Sequence, residues 1–238
     1  MSELCIYKRQ GYTLGSAAQL LESEQERLIE LFQSQGGGAS GGLAGRAPVQ
    51  YAEVGTLGDV VIKHYVRGGL LRHLRSSMHL HRGLTRSQRE FDLLSRVRSL
   101  GVSAPEPLVW AWRGRGLYRA WLVTRAIPEH RSLAQLSHED PSYARELTAT
   151  LMPQIEILVR HGIFHIDLHP GNVIVDRDER VYIVDFDKAQ EVYGKERRQL
   201  PEWYLRRWRR AVIKHALPEV LTEVMCSWLR RRDFSVSP

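Results

Sequence analysis

The sequence predicts an α+β fold of two lobes. Residues 1–125 should form an antiparallel sheet with a glycine-rich loop, and residues 126–238 a mainly helical lobe ending in basic helices. Three observations predict it. Short apolar runs bounded by Gly and Pro recur in the first half, at 60–62, 108–112 and 118–124. Helical spacing governs 85–100, through Phe91, Leu94 and Val97, and 141–161, through Leu147, Leu151, Ile155 and Leu158. Gly101 and Gly162 stop those two helices. Finally, the apolar runs 173–175 and 181–184 flank the polar stretch 176–180, which reads as a β-hairpin.

Taken in order, residues 1–22 carry little pattern. Ser23 and Glu26 make a capping box, so an amphipathic helix is expected over about 24–35, packed through Leu28, Leu31 and Phe32. A glycine-rich run beginning at Gly36 follows. Glycines let backbone amides approach phosphate oxygens, which suggests a phosphate-covering loop centred on Gly42, Gly45 and Arg46. A flexible linker is the alternative, since the run fits neither GxGxxG nor a Walker A motif. The strand at 60–62 ends in Lys63, the place of a lysine that reaches nucleotide phosphates and is oriented by a helical Glu. Glu90, one turn before Leu94, is the candidate partner. Its other reading is a capping box with Ser87. The Arg- and His-rich segment 64–83 reads either as a solvated loop or as a site for an acidic substrate, and 125–130, broken by Pro128, as a hinge whose backbone holds adenine.

The hairpin carries the chemistry. A hairpin aligns its open ends, bringing Asp167 and Asn172 close to Asp185. Two carboxylates and an amide oxygen suit Mg²⁺, a hard cation usually shared between protein oxygens and substrate phosphates. Order and spacing match the protein-kinase template: an Asp that accepts the hydroxyl proton, an Asn five residues on that holds metal, and a second metal-binding Asp after the next strand. Two rivals stand beside this reading. Asp, Asn, Pro and Gly are also ordinary turn residues. His165, Asp167 and His169 would share one face of an extended segment and suit a metal-dependent hydrolase, although that leaves Asn172 and Asp185 without a role.

Composition sets the outer bounds. With 238 residues, 43% hydrophobic and 26% charged, the chain suits one large domain or two lobes. No run approaches the ~20 apolar residues of a membrane span, and the N-terminus lacks a signal peptide's apolar core. Cys5 and Cys226 lie at opposite ends of the chain, so a reducing compartment is the simpler expectation. A net charge of +7 favours nucleic acid, an acidic membrane surface or a phosphorylated substrate. After Lys188, Trp203, Tyr204, Trp208 and Trp228 alternate with Arg206, Arg207, Arg209, Arg210 and the run 230–232. This is either a packed helix pair with a solvated Arg face or a membrane-surface contact.

With these residues in view, the chain resembles the lipopolysaccharide core kinases, and among them those acting on 3-deoxy-D-manno-octulosonic acid (Kdo). The resemblance is carried by KHYVRGGLLRHL (63–74), SQREFDLL (87–94) with GVSAPEPLV after it, HIDLHPGNVIVD (165–176) and YIVDFDKA (182–189). HYVRGG points to the Kdo branch, whereas HIDLHPGN and DFD mark the wider kinase superfamily. The resemblance implies a two-lobed protein-kinase-like fold and transfer of the ATP γ-phosphate to a Kdo hydroxyl, expected to be the 4-hydroxyl, on Kdo-lipid A. The catalytic base maps to Asp167, the Mg²⁺ ligands to Asn172 and Asp185, and the phosphate-binding pair to Lys63 and Glu90. Acceptor-binding candidates are Arg67, Arg72 and Lys188. The expected setting is peripheral, on the cytoplasmic side of the inner membrane, with no nucleic-acid partner. Asp187 replaces the Gly of the protein-kinase DFG and no APE-like motif follows, which argues for a constitutive kinase of small molecules. The alternatives are a heptose, other small-molecule or protein kinase of the same fold, or a non-catalytic basic module that binds nucleic acid.

Overall fold

The computed structural model describes residues 4–34, 49–65, 79–80, 83–115 and 117–231. The chain divides into two compact units, residues 1–95 with 106–126, and residues 96–105 with 127–238. Mixed α and β structure with an antiparallel sheet in the first unit and a mainly helical second unit agrees with the expected fold class.

The first unit contains β1 (Cys5–Arg9), β2 (Tyr12–Ser16), α1 (Glu22–Ser34), β3 (Val49–Val54), β4 (Gly58–His64), β5 (His79–Leu80), α2 (Arg86–Ser99, whose last turn passes to the second unit), β6 (Pro107–Arg115) and β7 (Leu117–Arg125). Among the described residues the sheet order is β1-β2-β6-β7-β4-β3, with β5 also on β7, and every pairing is antiparallel. Residues 1–22, unpatterned to the eye, supply the β1–β2 hairpin. Arg9 pairs with Tyr12, leaving Gln10 and Gly11 as a two-residue turn with φ of 50° and 78°. Positive φ at both positions is the mirror-image turn that suits the twist of paired strands.

The core of this unit lies between α1 and one face of the sheet. Leu28, Ile29, Leu31 and Phe32 meet Tyr12, Leu14, Val60, Ile62, Trp121 and Val123. The Phe32 ring stacks on Trp121 with centroids 5.0 Å apart. The start of α1 differs from the Ser23–Glu26 capping box. Glu24 accepts from the Leu21 N–H at 2.8 Å and also from the Thr56 N–H and hydroxyl at 2.7 and 2.6 Å. Burial pushes the Glu24 carboxyl up, but the Thr56 hydroxyl and the N–H groups of Leu21, Thr56 and Leu57 outweigh it and leave the group below its ordinary value. A tertiary partner 32 residues away thus decides the helix start.

The second unit contains β8 (Arg131–Ser132), α3 (Leu133–Glu139), α4 (Pro141–Arg160), β9 (Ile163–Phe164), β10 (Val173–Val175), β11 (Val181–Ile183), β12 (Gln190–Glu191), α5 (Leu200–Lys214) and α6 (Val220–Arg231). Asp140 caps α4, accepting from the N–H groups of Ser142 and Tyr143, both at 2.9 Å, and Pro141 opens the helix where its missing N–H costs nothing. The α4 stripe of Leu147, Leu151, Ile155 and Leu158 is buried. In α5, Tyr204, Trp208 and Ala211 face inward, and the Trp208 indole N–H donates to the Leu221 carbonyl of α6 at 3.1 Å. Tyr204 and Trp208 therefore serve the core, not a membrane contact. Among the described residues no helix is long and apolar enough to cross a membrane.

Candidate active site

In the first unit β4 alternates its side chains as a strand must. Val60, Ile62 and His64 are buried on one side, and Val61 and Lys63 stand on the other. The Lys63 ammonium donates to both carboxylate oxygens of Glu90, at 3.1 and 3.0 Å, and the Tyr65 hydroxyl donates to the same carboxylate. The Glu90 side chain is 3% exposed and that of Lys63 18%, so solvent screens this pair far less than a surface one. Helix α2 begins with a different capping box from Ser87 and Glu90. The Thr85 N–H donates to the Gln88 side-chain oxygen at 2.8 Å and the Gln88 N–H to the Thr85 hydroxyl at 3.3 Å, while the Ser87 hydroxyl donates to the Ala111 carbonyl. Glu90 is thereby left to the lysine.

Removing one partner of a buried pair strands the other. Glu90→Ala should destabilise the protein by about 3–5 kcal/mol in urea unfolding. The double variant Lys63→Met with Glu90→Leu should recover most of that stability without recovering activity. Recovery of both would make the pair purely structural.

In the second unit the hairpin brings the acidic residues together. Val173 pairs with Ile183, and the ladder continues one step as the Val184 N–H donates to the Asn172 carbonyl at 3.0 Å. Asn172 and Asp185 thus stand at neighbouring positions at the open end. At the closed end Asp176 folds the turn, accepting from the N–H groups of Asp178 and Arg180 and from the Tyr182 hydroxyl, at 3.0, 2.9 and 3.0 Å. Burial pushes the Asp176 carboxyl up, but these donors prevail and hold it below its ordinary value. Asp185 has φ of 65°, a left-handed conformation that Asp tolerates better than most residues and that recurs at functional sites.

The loop before β10 is fixed by its own polar groups. The Asn172 side-chain N–H donates to the Asp167 carbonyl at 3.0 Å, and the Gly171 N–H donates to His169 Nδ1 at 3.0 Å. β12 pairs with β9, Gln190 opposite Phe164 and Glu191 opposite Ile163, which returns the chain beyond Asp185 to the strand leading into the loop. Lys188 consequently meets Asp167. Its ammonium donates to Oδ2 at 2.7 Å, and Arg207 from α5 donates to Oδ1 at 3.1 Å.

His165 is a strut of this loop. Its Nε2 donates to the Val184 carbonyl at 3.0 Å, its backbone N–H to the Tyr204 hydroxyl at 2.9 Å, and its ring packs edge-on against Phe186. Burial pushes the imidazole below its ordinary value, outweighing the Val184 carbonyl and the charges of Asp185 and Asp167, so the ring is neutral at pH 7. Burial likewise pushes the Tyr204 phenol up, and its hydroxyl donates to the Ile163 carbonyl at 2.8 Å. His165 Nδ1 is buried without a hydrogen-bond partner, but the ring is fully enclosed and the Asp167 carboxylate is taken up by Lys188 and Arg207, so the hydrolase reading through His165, Asp167 and His169 finds no assembled site. Among the described residues no three His, Cys, Asp or Glu side chains gather as a metal site.

Gly42, Gly45, Arg46, Arg67 and Arg72 lie outside the described residues. Lys188 is placed on the Asp167 carboxylate. Arg207 stands in a run of arginines that reads as a solvated face, and its pattern alone does not single it out. The usable signal is its position three residues after Tyr204 and one before Trp208, on the border of the buried stripe.

A Lys–Glu pair on a sheet-based unit, followed by an Asp-x₄-Asn loop and a post-strand Asp in a helical unit, defines a kinase, an enzyme that transfers a phosphoryl group to a hydroxyl. Comparison with known proteins narrows this class. Residues 39–219 match the lipopolysaccharide kinase (Kdo/WaaP) family, and the chain belongs to that family. Its relatives include a protein of Vibrio parahaemolyticus named 3-deoxy-D-manno-octulosonic acid kinase, 29% identical over 83% of this chain and 79% of its own. Proteins of the same name from Vibrio cholerae, 32% identical over 68% and 70%, and Stenotrophomonas maltophilia, 30% over 76% and 74%, are similar too.

Proposed function

We propose that this chain transfers the γ-phosphoryl group of ATP to the 4-hydroxyl of Kdo on Kdo-lipid A, working as a peripheral protein on the cytoplasmic side of the inner membrane. The observation that carries the chemistry is the hairpin ladder that sets Asp185 beside Asn172, with Asp167 in the same loop. The choice of acceptor rests on the relatives named as Kdo kinases.

Asn172 and Asp185 fit a hard cation. The Asn172 amide nitrogen is committed to the Asp167 carbonyl, which leaves its oxygen as the metal-facing atom, and Asp185 adds a carboxylate. These two residues would hold Mg²⁺, which when bound neutralises charge on the β- and γ-phosphates. Lys63, held by Glu90, binds the α- and β-phosphates. Asp167 takes the proton of the acceptor hydroxyl as that oxygen forms its bond to the γ-phosphorus. The bond from the γ-phosphorus to the β,γ-bridging oxygen breaks, and ADP leaves with the electron pair.

The surface of α5 supports an anionic, membrane-borne acceptor. Arg206, Arg209, Arg210 and Lys214 line a groove with Ile213, which is 70% exposed. Cations around one exposed aliphatic side chain suit the boundary between headgroup phosphates and acyl chains.

A transfer assay with labelled ATP and Mg²⁺ tests the reading. Label should enter Kdo-lipid A and leave a neutral sugar and a generic protein untouched, with the acceptor KM rising as salt screens the basic surface. Transfer to the neutral sugar at the same rate would sink the acceptor assignment. Labelling confined to a heptosylated core would move it to heptose.

A further inference from the structure

We infer that Arg207 is the positioning residue of Asp167, and that Lys188 is the displaceable cation of the same carboxylate. The inference rests on the reading of Asp167 as the base.

Both oxygens of Asp167 carry a cation, Lys188 on Oδ2 at 2.7 Å and Arg207 on Oδ1 at 3.1 Å. Each oxygen keeps a second lone pair, yet a cation seated on it crowds the approach of an acceptor hydroxyl, so the oxygen whose cation leaves more readily is the one open to the proton. The two cations differ in how easily they leave. Lys188 sits within the turn closed by the Ala189 N–H on the Phe186 carbonyl, and its side chain is 63% exposed. A long, solvated ammonium is displaced at little cost, because the exposed pair is weak and water replaces its partner.

Arg207 is held otherwise. It lies in the middle of α5, between the buried anchors Tyr204 and Trp208, which tie the helix to β9 and α6. Its side chain is 31% exposed and its Nε is buried without a hydrogen-bond partner. A guanidinium is planar and keeps a fixed donor geometry, so on a rigid helix it sets the rotamer of the carboxylate it grips. Arg207 therefore keeps Oδ1 in place. Lys188 leaves Oδ2 to the hydroxyl.

The test is a mutant cycle. Arg207→Met should lower kcat about 10²-fold, the size of effect that misplacing a reacting group by ~1 Å produces. The Kd for Mg–ATP and the unfolding midpoint should change little, and Arg207→Lys should restore part of the lost rate. In an Asp167→Ala background Arg207→Met should leave the residual rate unchanged, because the group it positions is gone. The same loss in both backgrounds, or full activity in Arg207→Met, overturns the positioning role. So does an Arg207→Lys variant no better than Arg207→Met. Wild-type turnover in Asp167→Ala alone would instead remove the base assignment, and the inference with it. For Lys188, Lys188→Met should keep the Asp167-dependent rate within about tenfold, since the base stays oriented by Arg207. A loss as deep as that of Asp167→Ala would show that Lys188 itself takes part in the chemistry and would overturn its reading as a cation that leaves.

Discussion

Asp167→Ala should cut phosphoryl transfer to a small residual rate while leaving nucleotide affinity nearly intact, the largest effect expected of any single substitution here. A positioned general base contributes about 10²–10⁴ in rate, and its proton comes from the acceptor, not from ATP. The surroundings of Asp167 reinforce the division. Removing its carboxylate leaves Lys188 and Arg207 in place as two positive charges, so nothing that attracts an anionic nucleotide is lost. Isothermal titration of Mg–ATP alongside single-turnover rates separates the two quantities. A fall in affinity that parallels the fall in rate would argue that Asp167 binds nucleotide.

Asp185→Asn is expected to fail differently, losing Mg–ATP binding as well as activity. The substitution keeps the side-chain size and the tolerance for φ of 65° while removing the negative charge, so the hairpin should stay folded. One charge-assisted contact is worth roughly 1.5–3 kcal/mol, or about tenfold to a hundredfold in affinity. Chelating the metal provides the control. Without divalent cation the variant should bind ATP at least as well as wild type, since an uncompensated carboxylate repels the phosphates and only the metal turns it into an attraction. A variant that binds Mg–ATP as well as wild type would remove Asp185 from the metal site.

The two substitutions probe residues that sequence spacing brings forward for a physical reason. A hairpin converts separation along the chain into adjacency across it, so the short apolar runs flanking 176–180 are enough to place Asn172 beside Asp185. The Lys63–Glu90 pair is legible in part. Strand alternation puts Lys63 opposite the buried Ile62, and helical spacing puts Glu90 at the edge of an apolar stripe. Spacing alone leaves Glu90 between two partners. The choice falls to Lys63 because Thr85 and Gln88 cap the helix and Ser87 turns to the Ala111 carbonyl.

Local regularity thus determined the fold class, the sheet-first order, and the loop before the hairpin with its Asp–Asn spacing. These are short-range properties: strand alternation, helical period and turn residues act over a few positions and are written in consecutive letters. The tertiary structure decided what depends on distant partners. It made the β1–β2 hairpin the edge of the sheet and gave Glu24 its acceptor role toward Thr56. It buried His165 against Val184 and Tyr204, apart from any metal-binding cluster among the described residues. It also drew Arg207 out of a run of similar arginines. A period of 3.6 residues tells which side of α5 is buried, but not which carboxylate waits at its border, and Asp167 lies 40 residues away.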